Sequence, residues 1–364
     1  MSSELKRTER RARRLGELQA SKTVRRANAA LHEVWSTGRQ PKHIRFRIGL
    51  LELPGQDKRQ PVLTQLIRPR GLALRFYLLA IFEAQCRLEA GQKWISGRPL
   101  SGPDSWADLV AIDGPYSTQA KKYLPDTKQG RTLANQRLIQ VKSALRTLEG
   151  IGAQDELMSG SESSQALVSM PRKGNAWDYK QFMLLNELGK GRLETLEPYS
   201  VPYAQYGTTF AVPVGFFLNG WIHVLSDAEI SVWLILMSLF YQYPDRHRDE
   251  GVYLYAARRG RMGLRRDSWE DGCARLRDFG LVRDAVKPEQ QKKEAPTAVS
   301  EQSAAEHEAA LAKLLEEDFT VFDFSQPEPP AVYDPNRYQL LVGYGKNALD
   351  KVMMETTLRV KALK

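Results

Sequence analysis

Apolar residues along the chain recur mostly at helical spacing, with short alternating runs between them. Residues 4–35 carry a broken apolar stripe (Leu5, Ala12, Leu15, Leu18, Val24, Ala27, Leu31, Val34, Trp35) and predict a helix whose remaining positions are largely arginine. Residues 44–53 predict a strand closed by Pro54-Gly55. In residues 72–89, Leu72, Phe76, Leu79 and Phe82 lie on one helical face with Arg75, Glu83 and Arg87 outside it, and Gly91 stops the helix. A short helix is expected at 106–112 and a helical turn at 116–124. Residues 131–149 form a longer helix in which Leu138, Val141, Leu145 and Leu148 share a face, ended by Gly150. Segments 153–158 and 166–170 then read as two strands around the polar turn 159–165.

A similar order follows downstream. Residues 210–214 predict a strand, and Phe216, Phe217 and Trp221 an aromatic cluster. Ser226 and Glu229 make a capping box for helix 227–241, which is apolar almost all round and so belongs inside a core. Residues 253–262 and 267–279 predict two further helices, the second with an Asp267/Glu270 capping pair and an inward stripe of Trp269, Cys273, Leu276 and Phe279. Gly280 stops it before a strand at 281–286. Residues 287–317, rich in Glu, Gln, Ala and Lys, read as an insertion. Residues 319–324 and 337–342 read as strands that complete a sheet, with a Pro-rich stretch between them.

The expected class is therefore mainly α with small β-hairpins (α+β). The pattern divides the chain into a basic N-terminal helical arm (1–47), a first unit (48–175), a linker (176–207), a second unit (208–286 and 318–345), the insertion (287–317) and a C-terminal tail (346–364). The stretch RLIQVKSALRTLEGIGAQDELM resembles the third helix and first wing strand of a winged-helix domain. GWIHVLSDAEISVWLILM and SWEDGCARLRDFGLVRD resemble its first and third helices. Both third helices end alike, in RTLEGIGA and RLRDFGLV. Two winged-helix-like domains in one chain resemble the layout of plasmid replication initiators and of larger transcription regulators. The resemblance implies binding of double-stranded DNA by a non-enzymatic protein, and it brings no catalytic residue with it.

Charge sharpens that expectation. The 364 residues carry a formal net charge of +10. Residues 1–47 hold thirteen Lys or Arg against four Glu, so the attraction for a polyanion is concentrated in the arm. Arg10, Arg11, Arg13, Arg14, Arg25 and Arg26 are its candidate DNA contacts. A solvated charged helix and a helix lying on a membrane surface are the alternatives, the second disfavoured by the weak apolar stripe. On helix 131–149 the face opposite the leucines is expected to carry Thr132, Gln136, Gln140, Ser143 and Thr147, flanked by Arg137 and Arg146, with Glu149 as the helix's one acid. Gln suits adenine and Arg suits guanine in the major groove, which makes Arg131, Gln136, Arg137, Gln140, Ser143 and Arg146 the candidate DNA contacts of this helix, with Gln136 and Gln140 meeting neighbouring base pairs and Arg137 beside them on a base or a phosphate. The second unit's third helix presents Glu270, Asp271 and Asp278. Its candidate phosphate contacts lie just before it, at Arg258, Arg259, Arg261, Arg265 and Arg266; dimerisation is the alternative role for this unit, leaving a homodimer open.

Other chemistry is not readable. Cys86 and Cys273 suggest no disulfide framework and fit a reducing, cytoplasmic setting. The five histidines have no metal-ligand spacing, so neither a metal nor another cofactor is expected. LVGYGKN at 341–347 fails the phosphate-loop spacing, since Asn347 stands where Ser or Thr is needed. The longest apolar run, 230–241, is too short to span a bilayer. The rival class is a non-catalytic subunit of a larger nucleoprotein complex that uses its winged helices for protein–protein contact.

Overall fold

A computed structural model describes residues 3–52, 60–67, 71–94, 97–112, 116–117, 122–123, 133–151, 166–188, 197–203, 208–285, 337–341 and 347–364. Over these residues the chain is mainly helical with small antiparallel sheets, the α+β class expected. The expected turn 159–165, strands 153–158 and 319–324, and insertion 287–317 lie outside the described residues.

The arm is two helices, α1 (Ser3–Ala20) and α2 (Thr23–Thr37), broken at Lys22, whose φ is 54°. It is not an appendage. Leu15, Leu18, Ala27 and Leu31 are fully buried, and α1 lies along the C-terminal helix α12 (Ala348–Ala362), so the expected tail is a packing partner of the expected arm. Strand β1 (His43–Arg47) then pairs antiparallel with β8 (Thr209–Pro213), placing Phe46 opposite Phe210 with stacked rings 5.7 Å apart. The strand stops at Arg47, and residues 48–50 turn as a 3-10 helix where strand was expected.

The expected linker 176–207 supplies structure to the first unit. Around α4 (Ala73–Arg87) and α5 (Leu133–Glu149) the segments β4 (Val168–Ser169) and β7 (Met183–Leu184) pair. Leu185 bridges Pro198, and Lys93 bridges Ser200. Four chain segments thus lie side by side, with 183–185 as the partner of 168–169. The short helix α3 (Val62–Ile67) packs on α4. Residues 106–108 form a turn and 110–112 no regular structure, where a helix was expected, with Trp106 and Leu109 in the core, and β2 (Tyr116–Ser117) and β3 (Lys122–Tyr123) pair where a helical turn was expected.

α4 departs most from its expected amphipathic form. Every residue from Ala73 to Cys86 is buried, Arg75 and Glu83 included. Burial of charge requires partners. Arg75 donates to the carbonyls of Ile222 (3.1 Å) and Leu225 (2.5 Å), and Glu83 pairs with Arg87 (2.7 Å) and Arg98 (3.3 Å).

In the second unit, α6 (Gly215–Leu218) and α7 (Trp221–Val224) seat the aromatic cluster beneath α8 (Asp227–Gln242). The Ser226/Glu229 capping box forms as expected, and α8 is buried over most of its length. After α9 (Pro244–Asp249), Val252 bridges Tyr338. Then come α10 (Ala256–Arg261), α11 (Arg266–Asp278) and β9 (Val282–Asp284), which pairs antiparallel with β10 (Tyr338–Leu340). Their order across the sheet is Val252, β10, β9. The expected Asp267/Glu270 cap does not form: α11 begins one residue earlier with Arg265 at its N-cap, and Glu270 pairs with Arg266 at 2.6 Å. Gly272 is needed where α11 crosses α8, because a Cβ there would stand 2.6 Å from Val232 Cγ2.

Candidate nucleic-acid interface

α5 is held on α4 by Val141, Ala144, Leu145 and Leu148, all buried. Small Ala144 lets the helix approach closely and rotates the inward stripe away from the one expected: Leu138 is half-exposed and the stripe continues through Arg137. Gln136, in the first turn of α5, is only 8% exposed although it lies off that stripe, and neither of its side-chain amide atoms has a hydrogen-bond partner among the described residues. Arg137 faces inward near Arg26 and Asp108. Burial, with the charge of Arg26 added, lowers its guanidinium to about 10 despite Asp108. Neither residue is placed to read bases, which corrects two of the expected contacts. Arg131 lies outside the described residues.

Gln140, Ser143 and Arg146 are exposed, as expected, joined by Asn135 and Ile139. The acid-poor character of this face survives, since Glu149 is turned to accept from the Met170 amide at 3.1 Å. That bond and Leu167 N–H to Leu148 O (2.9 Å) fix the chain leaving α5, so the hairpin beyond β4 has a defined place beside the helix.

The hairpin is β5 (Arg172–Lys173) paired with β6 (Ala176–Trp177). Its two-residue turn is Gly174-Asn175, with φ of 60° at Gly174, a conformation that disfavours a side chain. Arg172 and Lys173 are exposed at its tip. The Arg172 guanidinium lies 3.9 Å above the Trp177 ring, and the Lys142 ammonium of α5 lies 5.3 Å above Tyr179. Between α5, the hairpin and residues 97–101 runs a groove of about 650 Å³. Lys142, Arg172, Lys173, Trp177, Tyr179 and Lys180 escape the sequence reading, which placed the hairpin upstream. The signal was the Gly-Asn turn between RK and AW.

The other expected arginines divide. Arg258 and Arg261 both hold Glu52, at 2.9 and 2.7 Å, and Arg258 also bonds Gln242. With Arg266 on Glu270, three of this cluster's five charges are met by carboxylates, while Arg265 is exposed and Arg259 half-exposed. In the arm, Arg11 forms a two-pronged pair with Glu229, and Arg26 binds Asp108 (2.8 Å) and the carbonyl of Val110. Arg13 sits 3.9 Å from Glu9 and remains exposed, as do Arg10 and Arg25; Arg14 is half-exposed. The face of α1 toward α8, α11 and α12 borders a cleft of about 370 Å³ where further arginines meet acids, such as Glu4 between Arg275 (3.3 Å) and Arg359 (2.6 Å). Part of the arm's charge thus holds the molecule together.

Among the described residues no group of three or more His, Cys, Asp and Glu side chains gathers as metal ligands would, and no helix is long and apolar enough to cross a membrane. No protein-family model matches this chain, and no curated protein or solved structure matches it either.

Proposed function

We propose that this is a non-enzymatic, cytoplasmic, sequence-specific double-stranded DNA-binding protein, acting as a replication initiator or transcription regulator, with α5 as the helix that enters the major groove. The observation that carries this reading is the pairing of an exposed, acid-poor helix face (Asn135, Ile139, Gln140, Ser143, Arg146) with a basic hairpin fixed beside it. A helix with a flanking hairpin is the geometry in which one element reads base edges and the other holds phosphates. Ile139, 41% exposed, offers the apolar contact that a thymine methyl takes. Apart from the added short helix α9, the second unit's order of α8, α9, Val252, α10, α11, β9, β10 supports the winged-helix resemblance there too, and Arg259 and Arg265 are its remaining candidate phosphate contacts.

The test is a binding titration on selected and random duplexes. Gln140→Ala should cost about 1–3 kcal/mol on the selected site and much less on random DNA. Arg172→Ala should weaken both alike and flatten the log–log salt dependence by roughly 0.9 if one phosphate contact is lost. Equal loss on both duplexes for Gln140→Ala would reassign α5 to backbone contact.

The subunit reading is favoured by one observation. Met354 and Leu358, 50% and 52% exposed, stand one turn apart on the outer face of α12, where a protein partner or a second copy would cover them. A wild-type chain that shifts no duplex at physiological salt yet self-associates would favour it.

A further inference from the structure

The groove beside α5 differs chemically from the face that α5 turns outward. Leu138 and Lys142 form one side, residues 97–101 a second, and Trp177, Asp178, Tyr179 and Lys180 a third. Among the described residues its one lining carboxylate, Asp178, is already engaged by Lys173 (3.0 Å) and by the Lys180 amide (3.2 Å). Lys142, Lys180 and Arg172 leave the groove and its rim cationic. Two aromatic rings stand among these cations, each with a cation over one face. The volume of about 650 Å³ falls in the range that holds whole small ligands, far beyond a single ion.

In a duplex each base is covered by its neighbours, so groove aromatics have no ring to stack on. An unpaired strand offers its base faces and its phosphates together, and aromatic rings interleaved with cations match that combination. Resting on the nucleic-acid reading above, we propose that this groove binds a single-stranded segment of DNA, with bases against Trp177 and Tyr179 and phosphates on Lys142, Arg172 and Lys180.

The experiment is fluorescence anisotropy of the full chain with a labelled oligothymidylate and, separately, a labelled mixed-sequence duplex. The wild type should bind both. Trp177→Ala should weaken the single strand by about five- to a hundred-fold, the loss of one stacked base, and the duplex by clearly less, through the Arg172 guanidinium that rests on the same ring. Trp177→Phe, which keeps a stacking face, should retain most single-strand affinity. Lys180→Ser, at an exposed position, should weaken the single strand in the same sense should Trp177→Ala melt early. A wild type that binds duplex but no single strand overturns the groove proposal and leaves the duplex reading standing. Equal loss on both ligands for Trp177→Ala, or a Phe variant as weak as the Ala variant, also overturns it. Single-strand binding without duplex binding would retain the groove and remove the duplex reading.

Discussion

Gln136 and Gln140 are one helical turn apart, yet one is buried and the other exposed. Periodicity alone places them together, because it registers only the helix's own stripe. Val141, Ala144, Leu145 and Leu148 point well away from Gln136, so its burial comes from chain packed over the first turn of α5 and not from that stripe. The buried Gln136 amide has no partner among the described residues, a costly arrangement. Gln136→Met should therefore raise the melting temperature, with a gain of up to about 1–3 kcal/mol, and leave duplex affinity unchanged. A fall in selected-site affinity would instead show that the side chain reaches DNA.

Whole elements follow the same logic of hidden partners. α8 was legible because every signal for it is local: the Ser226/Glu229 box, an apolar run of helical length, and Pro244 after its end. α4 was legible as a helix but not as a core helix. The carbonyls that satisfy Arg75 belong to Ile222 and Leu225, and nothing near Arg75 in the sequence announces them. The same holds for the arm. Its arginines read as free charge, whereas Arg11 is the counterion of a carboxylate on α8. Burial alone would raise Glu229, but Arg11 and Ser226 outweigh it and hold the carboxyl below its usual range. Removing Arg11 strands a charge that is 6% exposed. Arg11→Met should cost about 3–5 kcal/mol in a denaturant melt. Adding Glu229→Gln should recover much of this, since Gln still completes the capping box. Equal stability of the single variant and wild type would mean the pair contributes nothing to folding. The hairpin of β5 and β6 was the legible element that went unread: Gly-Asn between two short runs is a turn signal, but a polar stretch upstream competed for it.

At the scale of the molecule, the two units share one continuous core and are bonded across it. Arg75, on α4, donates to the carbonyls of Ile222 and Leu225, and Thr64 donates to the carbonyl of Met262. His223 sits in this interior beside Arg75 and Arg26. Burial first, and then those charges, lower it to about 3, so it is neutral when folded at any ordinary pH. The unfolded chain takes up that proton near pH 6.5, so acid favours unfolding. Stability should hold above pH 6.5 and fall by about 1 kcal/mol per pH unit below it, toward the folded value. His223→Phe should flatten the slope between pH 6.5 and 5 by that amount; identical slopes would place the acid sensitivity elsewhere. The pairing of β1 with β8 has a consequence in time. A ribosome must add some 160 residues between these strands, which at about 5–20 residues per second takes roughly ten to thirty seconds. Through that interval Ile44 and Phe46 are synthesised and waiting, an unpaired strand edge with two apolar side chains. The nascent chain is then most exposed to aggregation, and a chaperone that holds it until Pro213 has emerged meets this protein's need.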